Sequence, residues 1–134
     1  MTALPLVGCR ILILEDEYLI AMDVEELCRD HGASDTVLIG DLDALEAGTA
    51  GRHFDVAVID AMLNGRSTLD FARQIQERDI PFVFATGYDD ATGRFADFPG
   101  VPVVGKPYAG QQLIEAIASV IGRGASQATL EPNT

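Results

Sequence analysis

Five apolar runs of strand length recur along the chain, at 10–14, 36–39, 56–59, 82–85 and 101–104, and segments with helical periodicity lie between them. Ile20, Val24, Leu27 and Cys28 share one face of a segment spanning 18–31, which Gly32 closes as a C-terminal stop. Leu42, Ala44 and Leu45 mark a short second helix over 41–51, weakened by Gly48. Ser67-Thr68-Leu69-Asp70 reads as a capping box that opens a third helix carrying Leu69, Ala72 and Ile75 and ending before Pro81. The fourth slot, 89–98, is broken by Gly93 and ended by Pro99-Gly100. With only Phe95 and Phe98 as apolar anchors, it is predicted to be the most mobile element. The last helix has the cleanest stripe: Leu113, Ile114, Ile117, Val120 and Ile121.

Strands that are apolar throughout, rather than alternating, imply a sheet covered on both faces. Strands separated by helices imply parallel pairing through right-handed crossovers. The pattern therefore predicts an α/β fold, a doubly wound five-stranded parallel sheet spanning 10–122. Residues 1–9 form an N-terminal extension, and the small, polar residues 123–134 a flexible C-terminal tail. In such sheets the ligand site lies outside the carboxyl ends of the strands.

Composition narrows the function. At 134 residues the chain is one domain's length. No apolar run approaches the roughly 18 residues of a membrane span, and the start lacks a signal-peptide pattern. A cytoplasmic protein with no membrane association is expected. Cys9 and Cys28 lack metal-ligand spacing and read as buried thiols. A net charge of −12 argues against direct nucleic-acid binding, which needs clustered basic residues. Lys106 is the single lysine among nine basic residues, the others being arginine. A compact ammonium on a flexible stem suits a tight oxygen cluster that a planar guanidinium does not.

The strand ends supply such a cluster. The first ends in Glu15-Asp16-Glu17, the third in Asp60, the fourth in Thr86-Gly87 and the fifth in Gly105-Lys106. Two carboxylates about 4 Å apart repel by roughly 4 kcal/mol at an effective dielectric near 20, so Asp16 and Asp60 require a cation. Mg²⁺ meets the need, with Mn²⁺ or Ca²⁺ as substitutes, because a hard ion takes carboxylates and phosphate oxygens together. Asp16 and Asp60 would ligate directly, Glu15 directly or through water, and the Met62 carbonyl would fill a further position. Flanked by the metal and Lys106, Asp60 can attack phosphorus. Thr86 offers a hydroxyl to a phosphoryl oxygen, and the backbones of Met62 and Gly87 complete its cradle. The chemistry is in-line phosphoryl transfer to a carboxylate.

The ordered set of Glu15-Asp16, Asp60, Thr86 and Lys106-Pro107 resembles the receiver domain of two-component response regulators over most of the chain. The resemblance implies a flavodoxin-like (βα)5 fold with strand order 2-1-3-4-5, Asp60 as phosphoacceptor, Glu15 and Asp16 as the Mg²⁺ acids, Thr86 as switch hydroxyl and Lys106 as phosphate partner. It implies a sensor histidine kinase or a histidine phosphotransfer protein as donor, and a signalling protein rather than an enzyme. Phe84-Ala85-Thr86-Gly87-Tyr88 further resembles the Phe-Ala-Thr-Gly-Tyr subfamily of stand-alone receivers, which implies kinases of the HWE class. Where receivers carry an aromatic switch residue, three positions before the lysine, this chain has Val103. Ordering of 88–98 on phosphorylation, with Tyr88 as substitute, is expected in its place. With no effector segment after Ile121, output would come from docking an unknown protein target or from acting as a phosphate sink or relay.

Two other readings share parts of the site. An aspartyl-phosphate phosphatase would want an acid two residues after the nucleophile, where this chain has Met62. A flavodoxin-like cofactor-binding module would want a hydroxyl-rich phosphate loop where this chain has Glu15-Asp16-Glu17. Crowding of Glu15, Asp16 and Asp60 predicts raised pKa values for all three, and stability lost toward neutral pH without metal.

Overall fold

The computed structural model describes residues 4–87, 95–107 and 109–130. Along the chain run β1 (Arg10–Leu14), α1 (Tyr18–Asp30), β2 (Asp35–Ile39), a 3₁₀ turn (Leu42–Ala44) and α2 (Leu45–Thr49). These are followed by β3 (Val56–Ile59), β4 (Met62–Leu63), β5 (Arg66–Ser67), α3 (Leu69–Glu77), β6 (Phe82–Thr86), β7 (Val103–Gly105) and α4 (Gly110–Leu130). Five strands form one parallel sheet in the order β2-β1-β3-β6-β7. With the small β4-β5 ribbon set aside, this is the expected order 2-1-3-4-5.

The continuous apolar strands divide by parity between two cores. Ile11, Ile13, Val56, Val58, Val83, Ala85 and Val104 face α1 and α4, meeting Val24, Cys28, Leu113 and Ile117. Leu12, Leu14, Ala57, Ile59, Phe82 and Phe84 face the other way, onto Leu45, Ala72, Ile75, Phe95 and Phe98. Complete burial of side chains such as Leu12 and Ile13 stabilises the fold by roughly 1.5–3 kcal/mol each. Phe82, Phe84, Phe95 and Phe98 form a nest of rings with centroids 4.6–5.9 Å apart. Phe95 and Phe98 therefore anchor as the sequence predicts; positions 89–94 of that slot lie outside the described residues.

The structure adds to the sequence reading in three places. The capping box is not formed: Thr68 stands at the α3 N-cap, but its side chain makes no cap bond, and Ser67 Oγ accepts from Leu69 N at 3.2 Å. The hydroxyl of Thr68 is drawn instead to a buried carbonyl. The backbone of 123–130, expected to be a loose tail, continues α4 to Leu130, because nothing in the alanine- and glutamine-containing run forbids helix before Pro132. The N-terminal extension is also packed. Leu6 is fully buried, its N–H donates to His31 O at 2.9 Å, and Gly8 N donates to Gly32 O at 3.3 Å.

No helix among the described residues is long and apolar enough to cross a membrane.

Candidate functional site

Strand parity brings the acids and the lysine together. Ile13, Val58 and Val104 point toward the α1/α4 side, and counting two residues on from each reaches Glu15, Asp60 and Lys106. All three side chains converge past the strand ends. Parallel pairing of Leu14 with both Ile39 and Ile59 places the first and third strand ends side by side, and Asp60 N donates to Leu14 O at 3.0 Å.

Lys106 Nζ donates to Asp60 Oδ2 at 2.9 Å and also to Glu15 Oε1. The second partner was not expected. Charge alone assigns Glu15 to a metal and Lys106 to Asp60, whereas the alternation along β1 identifies Glu15 as a carboxylate that also reaches the lysine. Glu15 Oε2 also accepts from Glu17 N at 3.1 Å. Asp60 Oδ1 accepts from Met62 N at 3.2 Å. Asp16, on the exposed side, accepts from Asn64 N at 2.8 Å through Oδ2.

Glu15 and Asp60 are each 6% exposed, so neither charge is well hydrated. Burial raises the Glu15 carboxyl above its ordinary 4.5 by more than the bonds from Lys106 and the Glu17 N–H pull it down. Burial also works against the Lys106 ammonium, but its bonds to Glu15 and Asp60 outweigh that and push its pKa above the ordinary 10.5. Asp16 corrects the expectation that all three acids are raised. Burial pushes it up, yet the Asn64 N–H, the Glu15 carboxyl, its own N–H and Lys106 together hold it below 3.8.

Carboxylate oxygens of Glu15, Asp16 and Asp60 lie within 4.8 Å of one another. Three carboxylates against one ammonium leave two formal negative charges around one small volume, and oxygen donors alone suit a hard divalent cation. The donor set therefore fits Mg²⁺. Beside it opens a cleft of about 300 Å³ lined by Asp16, Glu17, Asp60, Met62, Gly65, Gly87 and Lys106.

Thr86 ends β6 fully buried, on the opposite parity to Glu15 and Asp60, and its carbonyl accepts Lys106 N at 2.7 Å. Gly87 lines the cleft directly after it. Val103 pairs in register with Phe84 and packs half-buried against the phenylalanine nest. Tyr88 lies outside the described residues.

Two site features escaped the sequence reading. One is the β4-β5 ribbon, in which Met62 pairs with Ser67 and Leu63 with Arg66 around an Asn64-Gly65 turn. Both turn residues have positive φ, 51° and 78°, the left-handed conformation an Asn-Gly hairpin supplies. That dipeptide was the available signal. The other is Thr68, whose hydroxyl donates to Asp60 O at 2.6 Å.

Comparison with known proteins gives a consistent result. The family model described as "Response regulator receiver domain" matches residues 11–118. The sensory transduction protein RegX3 of Mycolicibacterium smegmatis is 31% identical over 118 residues, covering 86% of this chain and 51% of its own. The transcriptional regulatory protein PdtaR of Mycobacterium tuberculosis is 31% identical over 118 residues, covering 85% and 57%. The chain thus spans about half the length of these curated relatives. Among solved structures, a response regulator receiver protein from Sinorhizobium medicae superimposes with a TM-score of 0.72 at 26% identity, covering 86% of this chain and 95% of that one.

Proposed function

The chain belongs to the response regulator receiver family, and on that premise we propose that Asp60 accepts a phosphoryl group from a histidine kinase or a histidine phosphotransfer protein, in a reaction that requires Mg²⁺. The observation that carries this reading is the setting of the Asp60 carboxylate. It is nearly buried, open to the 300 Å³ cleft, held by Lys106 Nζ at 2.9 Å and the Met62 N–H at 3.2 Å, and bordered by Glu15 and Asp16.

An Asp60 oxygen attacks phosphorus in line with the bond to the donor. The new O–P bond forms as the donor's bond breaks, and the leaving atom keeps the electron pair, an imidazole nitrogen when the donor is a phosphohistidine. Lys106 stays with the developing charge by passing from Asp60 to a phosphoryl oxygen. Thr86 and the Gly87 N–H take further phosphoryl oxygens as the group settles. Held by Glu15, Asp16, Asp60 and the Met62 carbonyl, Mg²⁺ would supply charge neutralisation for the phosphoryl oxygens.

Alongside the cleft runs an apolar groove of about 610 Å³ lined by Ile20, Val24, Leu27 and Pro107, sharing Glu17, Gly87 and Lys106 with it. With Tyr18 and Leu19 exposed on α1, it supports docking of the phosphodonor there. The Phe84–Tyr88 motif supports a kinase of the HWE class and membership of the stand-alone subfamily. Met62, an uncharged thioether two residues after the nucleophile, favours a phosphoacceptor over a phosphatase, since it cannot relay a proton.

The test is incubation with acetyl phosphate and Mg²⁺, read by intact mass. A single phosphoryl adduct is expected on the wild type, abolished by Asp60→Ala and by chelation. An unlabelled wild type, or labelling that survives Asp60→Ala, overturns the assignment. Steady hydrolysis of an aryl phosphate would favour the phosphatase.

A further inference from the structure

Four polar or charged side chains are buried among the described residues: Glu15, Asp60, Thr68 and Thr86. Three are accounted for by the phosphoryl-transfer site. Thr68 is not, although it is 0% exposed. Burying a hydroxyl is unfavourable unless it is hydrogen-bonded, and its choice of partner is informative. Thr68 stands where its oxygen would normally accept an N–H of the α3 first turn, and it makes no such bond. It donates instead to the main-chain carbonyl of Asp60 at 2.6 Å.

We propose that Thr68 is a positioning residue for the phosphoacceptor, its hydroxyl fixing the peptide plane from which the Asp60 carboxylate projects. This rests on Asp60 being the acceptor.

The surrounding bonds show how the fixing works. Thr68 N donates to Ala61 O at 2.9 Å, so residues 60–68 form a loop closed at its neck by two bonds from one residue. Inside the loop, the Met62 N–H holds Asp60 Oδ1 at 3.2 Å. At its tip, Asn64 N holds Asp16 Oδ2 at 2.8 Å, and Asn64 Nδ2 donates to Gly40 O at 3.3 Å. The ribbon is thus a short brace between the acceptor and its neighbouring acid, and Thr68 is its root. Without the hydroxyl, the 60–61 peptide can turn, the Met62 N–H leaves Oδ1, and the carboxylate loses its aim between Lys106 and Asp16. Reactions that depend on alignment lose rate steeply with such displacement, roughly 100-fold for 1 Å.

The experiment compares wild type, Thr68→Val, which keeps the shape without the hydroxyl, and Thr68→Ser, which keeps the hydroxyl without the methyl. Each is labelled with acetyl phosphate in saturating Mg²⁺, at a temperature where all are folded. Thr68→Val should label roughly tenfold or more slowly, Thr68→Ser within twofold of wild type, and the Met62 amide resonance should shift in the first variant only. If Thr68→Val does not fold, Thr68→Ala carries the same comparison. Labelling of a folded hydroxyl-free variant within twofold of wild type overturns the role of Thr68, as does a Thr68→Ser variant tenfold slow. An unlabelled wild type would instead overturn the acceptor assignment beneath it.

Discussion

Replacing Lys106 by methionine tests the electrostatics of the site most directly. The variant keeps an apolar stem of similar length and removes the ammonium from two carboxylates that are each 6% exposed. At an effective dielectric near 20, the contact of Nζ with Asp60 at 2.9 Å carries roughly 6 kcal/mol of gross attraction, much of it offset by the cost of burying the charges. Loss of one partner from a buried pair costs about 3–5 kcal/mol, because the remaining charge is uncompensated. The loss should depend on pH. Glu15 already sits above 4.5 through burial, and without Lys106 it rises further. A carboxyl raised in the folded state favours folding fully below its unfolded value, and this contribution is lost as pH rises through the folded one. Asp16 has the opposite sign: its lowered value contributes above 3.8 and is lost as pH falls through the folded value, so measurements at pH 5 and above leave it constant. Urea melts of wild type and Lys106→Met at pH 5.0 and 7.5 should show a penalty of about 3–5 kcal/mol at the higher pH and clearly less at the lower. Adding Mg²⁺ at ten times its dissociation constant should return roughly 1.4 kcal/mol at pH 7.5. An equal penalty at both pH values would falsify the reasoning, as would one below about 1 kcal/mol at pH 7.5.

Cys28 is fully buried and burial is the main cause that pushes its thiol from 9.0 to about 12, with Cys9 and Glu25 adding to it. The unfolded chain therefore ionises first, and stability should fall by about 2 kcal/mol between pH 9 and 10.5. Melts of Cys28→Ala over the same interval should lack that component, and identical slopes would remove the thiol as its source. Gly32 has φ +106°, and a Cβ there would meet Val7 Cγ2 at 2.8 Å and its backbone at 3.0 Å. Gly32→Ala should cost about 1–3 kcal/mol in a urea melt, through backbone strain and displacement of the N-terminal segment. A neutral substitution would mean that this segment moves aside freely.

Much of the fold was legible because parallel sheets write themselves as uninterrupted apolar runs, and all five were found within about two residues. The gathering of Glu15, Asp16, Asp60, Thr86 and Lys106 at one edge was legible because this topology brings strand ends together there. The partner of Lys106 could also have been found: counting in twos from Ile13 and Val104 puts Glu15 and Lys106 on one side of the sheet. Crowding alone would raise Asp16, but the backbone N–H of Asn64, which becomes its neighbour only when the ribbon folds back, helps to hold it down. Thr68 was read from its local motif as part of a helix start, yet its hydroxyl serves a carbonyl eight residues earlier. No periodicity announces such a bond. Small residues over 123–130 suggest looseness, yet alanine and glutamine tolerate helix well, and the backbone there continues α4.

The shared parity of core and site also bears on which length changes the chain can accept. Ile11, Ile13 and Glu15, like Val56, Val58 and Asp60, belong to one alternation, so losing or gaining a single residue inside β1 or β3 would exchange the side chains between the two differently shaped cores and carry the acid to the other side of the sheet in the same step. Stability and chemistry would fail together, and no compensating point substitution could restore one alone. At the opposite edge, residues 50–53 lead into β3 from its amino end, away from the strand ends that carry the acids, and Gly51, Arg52 and His53 are exposed. Insertions accepted there and refused two residues into β3 would be the expected record of length variation in this chain.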